Sequence, residues 1–142
     1  MVDISADALS VCRKNVLLNS LSPRATCIEA DVRRPPPMRI GSFNLIVSNP
    51  PYIPTAEIRE LDSSVRDYEP VWALDGGEDG LDFYRAILDN WKALLRGGGR
   101  MMFEVGMGQA DAVRKLMLLA GFHGVECVED TAGIQRVVFG RI

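Results

Sequence analysis

Apolar and polar positions along this chain switch between the periods of helix and strand, and the switches mark its elements. Val2 and Ile4 flank Asp3 as the end of a strand. Ser5 stands where a helix N-cap is expected, and Asp7 follows in the first turn, where a negative charge suits the helix dipole. Ala8, Leu9, Cys12 and Val16 recur at helical spacing and predict one buried face. The helix is expected to end over 19–22, because Pro23 cannot continue it. A second strand is expected over 25–29, with Asp31 just beyond it. Phe43, Leu45, Ile46 and Val47 form a nearly continuous apolar run, which suits a buried parallel strand. Pro50 and Pro51, which lack ladder donors, end it. Between 53 and 79 the periodicity fades, and a long functional loop with one short helix near 56–61 is expected. Leu81, Tyr84, Leu88, Trp91 and Leu95 mark a helix that Gly97, Gly98 and Gly99 are expected to end. A strand is expected over 100–105. Val113, Leu116, Met117 and Ala120 share one face of the next helix, which Gly121 stops. Two last strands, over 125–128 and 136–139, flank a turn at Gly133.

This alternation implies an α/β fold, a mostly parallel sheet with helices on both faces. The last two strands have no helix between them and are expected to pair antiparallel at one edge. Ligands of such sheets bind beyond the carboxyl ends of the strands. Asp3, Asp31 and Asn49 all follow strands, so three polar groups are expected to share one crevice. The 142 residues fit a single domain, 1–142, without repeats or linker composition.

Composition narrows the choice. With 47% hydrophobic and 25% charged residues, a real core can form. No apolar run is long enough to cross a bilayer, and no charged-then-apolar leader opens the chain, so no membrane partner is expected and the compartment is the cytoplasm. A net charge of −3 argues against a broad grip on a phosphate backbone, and no direct nucleic-acid partner is expected. Arg33, Arg34 and Arg39, around three prolines, read as a solvated loop. Cys12, Cys27 and Cys127 lack metal-ligand spacing and read as buried free thiols, and His123 has no partner ligand nearby in sequence, so no metal is expected.

The most informative feature is Asn49-Pro50-Pro51-Tyr52 directly after the apolar strand. An amide nitrogen is a poor nucleophile because its lone pair is delocalised into the carbonyl. Acceptors placed on its NH₂ group favour density on nitrogen as an alkyl group arrives. The Asn49 side-chain oxygen and the Pro50 backbone carbonyl are two such acceptors, and the prolines hold them in place before substrate binds. Tyr52 offers a flat face for a planar amide or base. With an already activated methyl donor, the task is mainly in-line positioning, and no general base is required. Asp3 suits the ribose hydroxyls of a nucleoside cofactor, and Asp31 an adenine amino group. Glu69-Pro70 and Ala73-Leu74-Asp75-Gly76-Gly77 read as a cover over the cleft. Gly106-Met107-Gly108 reads as a turn.

At these residues the sequence resembles the protein-(glutamine-N5) methyltransferases of peptide-chain release factors, the HemK/PrmC type. The segments that carry the resemblance are 2–9, 46–54 with its Asn-Pro-Pro-Tyr, 68–70, 73–81, 104–106 with Gln109, and 130–140. They cover nearly the whole chain in family order. Asn-Pro-Pro-Tyr is shared with adenine amino methyltransferases, whereas the stretch from Glu69 to Leu81 is more particular to the glutamine-modifying type. The resemblance implies a class I S-adenosylmethionine (SAM)-dependent methyltransferase fold, of Rossmann-like type, with SAM as cofactor. Asp3 matches the acidic residue on the SAM ribose, Asp31 the residue near the adenine, and Asn49 with Pro50 the clamp on the substrate amide. Pro51, Tyr52 and Glu69 complete the expected substrate side. The implied substrate is the glutamine of the Gly-Gly-Gln loop of a release factor.

The family also carries, before the position of Asp3, a strand, a Gly-rich loop for the methionine part of SAM, and a small helical domain. This chain is expected to lack them, with the absent strand falling between those that end near Asp3 and Val47. Weak SAM binding by this chain alone follows as an expectation. A complementary polypeptide or a second copy is the expected partner of the exposed strand edges. Two other readings stay open: an adenine amino methyltransferase of DNA or RNA, and a non-catalytic methyltransferase-like subunit that needs a partner.

Overall fold

A computed structural model describes residues 1–38 and 40–142. Arg39, part of the basic stretch named above, lies outside the described residues. The chain runs β1 (Val2–Asp3), α1 (Ala6–Leu18), β2 (Ile28–Glu29), β3 (Phe43–Ser48), α2 (Ser63–Arg66), α3 (Val71–Leu74), α4 (Asp82–Asn90), β4 (Leu95–Glu104), α5 (Ala110–Leu119), β5 (His123–Glu129) and β6 (Gln135–Arg141). Short 3₁₀ turns occupy Thr55–Glu60 and Lys92–Leu94.

The first unit forms much as its sequence dictates. Ser5 caps α1, its hydroxyl accepting from the Ala8 N–H at 3.2 Å, and Asp3 accepts from the Ser5 N–H at 2.8 Å. Leu9 and Val16 are buried and Cys12 is half-buried, but Ala8, expected on the same face, is exposed. β1 pairs with β2 in parallel through only two residue pairs. The second strand is shorter than expected, Ile28–Glu29 rather than 25–29.

The other four strands form one sheet in the order β3-β4-β6-β5. β3 and β4 are parallel, while β6 is antiparallel to both β4 and β5. The antiparallel C-terminal edge therefore stands as expected. β1 and β3 are not hydrogen-bonded to each other, so the sheet exists as a pair and a quartet.

The core lies at the antiparallel end. Ile87, Leu88 and Trp91 of the α4 region and Val113 and Met117 of α5 pack against Met101, Phe103, Val105, Val125 and Val138. Tyr84 is fully buried, meets Phe103 edge-on at 5.3 Å, and donates its hydroxyl to the Glu104 carbonyl at 2.9 Å. Burial pushes that phenol above its ordinary range, so it stays a donor. Each large apolar side chain buried here contributes roughly 1.5–3 kcal/mol of transfer free energy.

Three expectations need correction. β3 was expected to be buried, but Phe43, Leu45 and Val47 are exposed, Val47 to 63%, because no described element covers that face or pairs with its free edge. The glycines at 97–99 do not end a helix. α4 has already stopped at Asn90, where the chain turns so that the Trp91 indole donates to the Arg34 carbonyl at 3.1 Å. The glycines instead lie within β4, where its register against β3 shifts between Phe43 and Leu45 and Gly98 takes a φ of 76°. The stretch 53–79 holds two further helical turns, α2 and α3, that weak periodicity concealed. Asp62 caps α2 by accepting from the Ser64 N–H at 2.8 Å.

Candidate functional site

A cavity of about 630 Å³ opens beyond the carboxyl ends of β1, β2 and β3. That volume is within the usual range for a small-molecule site, roughly 300–1,000 Å³. Asp3, Asp31, Asn49, Pro50 and Pro51 all line it. The three strand-end residues picked from the sequence therefore do share one crevice.

Their states differ. One oxygen of Asp3 caps α1 through the Ser5 N–H, and its other oxygen accepts from no described residue. Asp31 is engaged by its neighbour: Oδ1 accepts from the Arg33 N–H at 2.9 Å and from Arg33 Nε at 3.0 Å, and Oδ2 accepts from Nη2 at 3.0 Å. The hydrogen bonds from Arg33, above all, hold this carboxyl below its usual range. The Arg33 guanidinium also lies 5.5 Å from the Phe83 ring centroid, and both residues line the cavity. Arg33, expected to be simply a solvated loop residue, is thus part of the wall. The loop that carries it is pinned to α4, because Asn90 donates to the Arg33 carbonyl at 3.2 Å and Trp91 to that of Arg34.

Asn49 is exposed at the end of β3, and its side-chain amide is hydrogen-bonded to no described residue. The Pro50 carbonyl likewise accepts from no described residue, while the Pro50 ring is buried. Two acceptors next to each other in sequence are left open in a segment whose backbone is otherwise fixed.

That fixing comes from two other loops. Ile53 donates to the Leu74 carbonyl at 3.0 Å, Gly76 donates to the Ile53 carbonyl at 2.8 Å, and Thr55 donates to the Gly77 carbonyl at 2.9 Å. The Gln109 side chain completes the brace: its Nε2 donates to the Tyr52 carbonyl at 2.8 Å, and its Oε1 accepts from the Gly106 N–H at 3.1 Å. Glycine is required at the closest approaches. A Cβ on Gly76 would stand 2.7 Å from Tyr52 Cα, and one on Gly80 would stand 2.4 Å from the Tyr52 oxygen.

Tyr52 does not line the cavity; its ring lies toward Gly106, at the β4–α5 turn. Glu69 is exposed, just before α3, and also lies outside the cavity lining. Of the expected cover, Ala73 and Asp75 line the cavity, joined by Trp72, which is 55% exposed. Sequence reasoning missed Trp72 and Phe83. Asp75 is held in place, accepting from Thr55 Oγ1 at 2.7 Å and from the Gly77 N–H at 3.0 Å. An exposed Trp in a segment of weak periodicity was the available signal.

The lining fits the nucleoside half of a cofactor: an open carboxylate oxygen on Asp3 for hydroxyl donors, and an aromatic and guanidinium wall for a flat base. No helix is long and apolar enough to cross a membrane among the described residues.

The family model described as "Methyltransferase small domain" matches residues 1–61. The chain is 43% identical over 141 residues to a release factor glutamine methyltransferase of Geobacter sulfurreducens, covering 99% of this chain and 48% of that protein. It is 40% identical over 137 residues to one of Thermodesulfovibrio yellowstonii, covering 96% of this chain and 48% of that protein. Among solved structures, a methyltransferase from Pyrococcus furiosus shares the fold, with a TM-score of 0.67 at 13% identity over 99% of this chain and 60% of that one. The chain spans about half the length of the curated relatives it matches. Over nearly its whole length the chain is similar in sequence to release factor glutamine methyltransferases, and it carries a class I methyltransferase fold.

Proposed function

We propose that residues 1–142 form one unit of a SAM-dependent N-methyltransferase whose substrate is the side-chain amide of the glutamine in a release factor's Gly-Gly-Gln loop, acting in the cytoplasm. The observation that carries this reading is the pair of open acceptors, Asn49 Oδ1 and the Pro50 carbonyl, on a braced turn beside a cavity walled by Asp3 and Asp31. Identity of 40% or more to proteins of that name supports the substrate.

SAM, when bound, supplies a methyl group already activated by its positive sulfonium. Asp3 and Asp31 are the residues that would hold its nucleoside part. Everything else falls to positioning by this chain. The two N–H groups of the substrate amide donate to Asn49 and Pro50, which orients the plane of the amide and favours density on its nitrogen. Pro51 closes the turn from the cavity side. Tyr52 contributes its carbonyl to the Gln109 brace, so it supports the clamp, and Glu69 lies outside where a protein substrate would approach. The proton displaced from nitrogen passes to water after transfer.

The test is transfer of labelled methyl from SAM to a purified release factor, with the Gly-Gly-Gln glutamine replaced in a control. Label on the unaltered factor alone supports the reading. Label on both factors, or on nucleic acid in place of the factor, contradicts it.

A further inference from the structure

Two thiols outside the cavity take no part in the chemistry above. Cys12 lies on α1 between the buried Leu9 and Val16, and Cys27 lies immediately before β2. Their Sγ atoms are 3.3 Å apart, with Cys27 donating to Cys12, and Cys12 donates in turn to the Met1 thioether at 3.4 Å. Both thiols are free and half-buried, and so is Cys127, which sits on β5 in the other sheet.

We propose that Cys12 and Cys27 are a site of reversible oxidative modification, closing to a disulfide that ties α1 to β2. The sulfurs already touch, so a modest approach reaches the ~2.0 Å of a disulfide. With a hydroperoxide as oxidant, one thiolate attacks the peroxide; an S–O bond forms, the O–O bond breaks and hydroxide or an alkoxide leaves. The second sulfur then attacks the sulfenic sulfur; the S–S bond forms, the S–O bond breaks, and the departing oxygen leaves as water with the thiol proton. Two thiols lose two electrons and two protons, and the peroxide is reduced by the same two electrons. A small disulfide reaches the same product by two exchanges, releasing two thiols, and a dithiol reverses it.

The clamp falls where the fold is least tied. The β1-α1-β2 unit rests on a two-residue ladder and on two buried apolar side chains of α1. A cross-link restricts the unfolded chain over this segment and raises the unit's resistance to heat. Asp3 ends β1, which leads into α1, and Asp31 follows β2, so the modification also fixes the carboxylate wall of the cavity.

The reduced protein is treated with hydrogen peroxide or oxidised glutathione, and free thiols, intact mass and linked peptides are measured. The expected result is a fall from three free thiols to one, a loss of two hydrogens, a Cys12–Cys27 linked peptide and a higher melting midpoint, all reversed by dithiothreitol. In Cys27→Ser the linked peptide and the rise in midpoint are both absent. Three persisting thiols, glutathione adducts or sulfinic acid without a link, a link to Cys127, or a link only between two chains would each overturn the proposal. A Cys12–Cys27 link that leaves the midpoint unmoved contradicts the clamp.

Discussion

Asn49 is the residue on which the proposed chemistry turns, and its exposure makes it separable from stability. Asn49→Ala is expected to lower kcat for methyl transfer by ~10²-fold or more, the range for deleting one preorganised polar contact at a reacting group. Its melting midpoint should stay within error of the parent, because the side chain is bonded to no described residue. An equal loss of kcat and of folded protein would show a structural role instead. Gln109 differs, since its amide joins the Tyr52 carbonyl to the Gly106 N–H. Gln109→Leu removes both bonds, and Gln109→Glu keeps only an acceptor. Both are expected to reduce kcat while KM for the release factor changes little, with Leu the more severe. The glycines report on the same brace. Gly80→Ala places a Cβ against the Tyr52 oxygen at a φ of 72° and should destabilise by roughly 1–3 kcal/mol, whereas Gly97→Ala, which meets nothing within 4 Å, serves as the tolerated control in chemical denaturation.

At the scale of elements, the start of α4 is tied down by charge. Asp79 accepts from the Leu81 N–H at 3.1 Å and pairs with Arg85 at 2.5 Å. The Arg85 hydrogen bonds, above all, lower its pKa from 3.8 to about 2. The folded-state value is the depressed one, so this contribution is fully present above pH ~4 and is lost as pH falls from ~4 to ~2. Both groups are about half exposed, so solvent screening keeps the effect small. Acid titration followed by circular dichroism should show a shallower loss of stability over that window in Asp79→Asn than in the parent, and identical slopes would contradict the assignment. Ser5→Ala removes the α1 cap and is expected to cost about 1 kcal/mol.

Legibility follows the same physics. The cap at Ser5, the helix after it, the apolar stripe of α5 and the antiparallel last hairpin were readable because each depends on local spacing. So was the meeting of Asp3, Asp31 and Asn49, because each follows a strand whose carboxyl end opens on the same cavity. The glycines of β4 were misread because Gly-rich stretches end helices and also relieve irregular strands, and only the position of Trp91 against Arg34 decides between them. Arg33 was misread because its role depends on Phe83, fifty residues further along. Periodicity has no access to such a contact.

For the whole molecule, the outstanding feature is the break between the β1-β2 pair and the quartet. β3 presents a free edge together with exposed Phe43, Leu45 and Val47. Unpaired edges with apolar faces template association. Sedimentation of the chain by itself is therefore expected to show association that grows with concentration, and Val47→Lys should suppress it without lowering the melting midpoint. A monomer at every concentration would show the edge to be protected. The proposed activity depends on the clamp that ends this same strand, so the most direct measurement is tandem mass spectrometry of a release factor after incubation with SAM and this chain. The account predicts one added methyl on the side-chain nitrogen of the Gly-Gly-Gln glutamine, absent with Asn49→Ala. A methyl on any other residue, or an equal yield from the Asn49 variant, would contradict it.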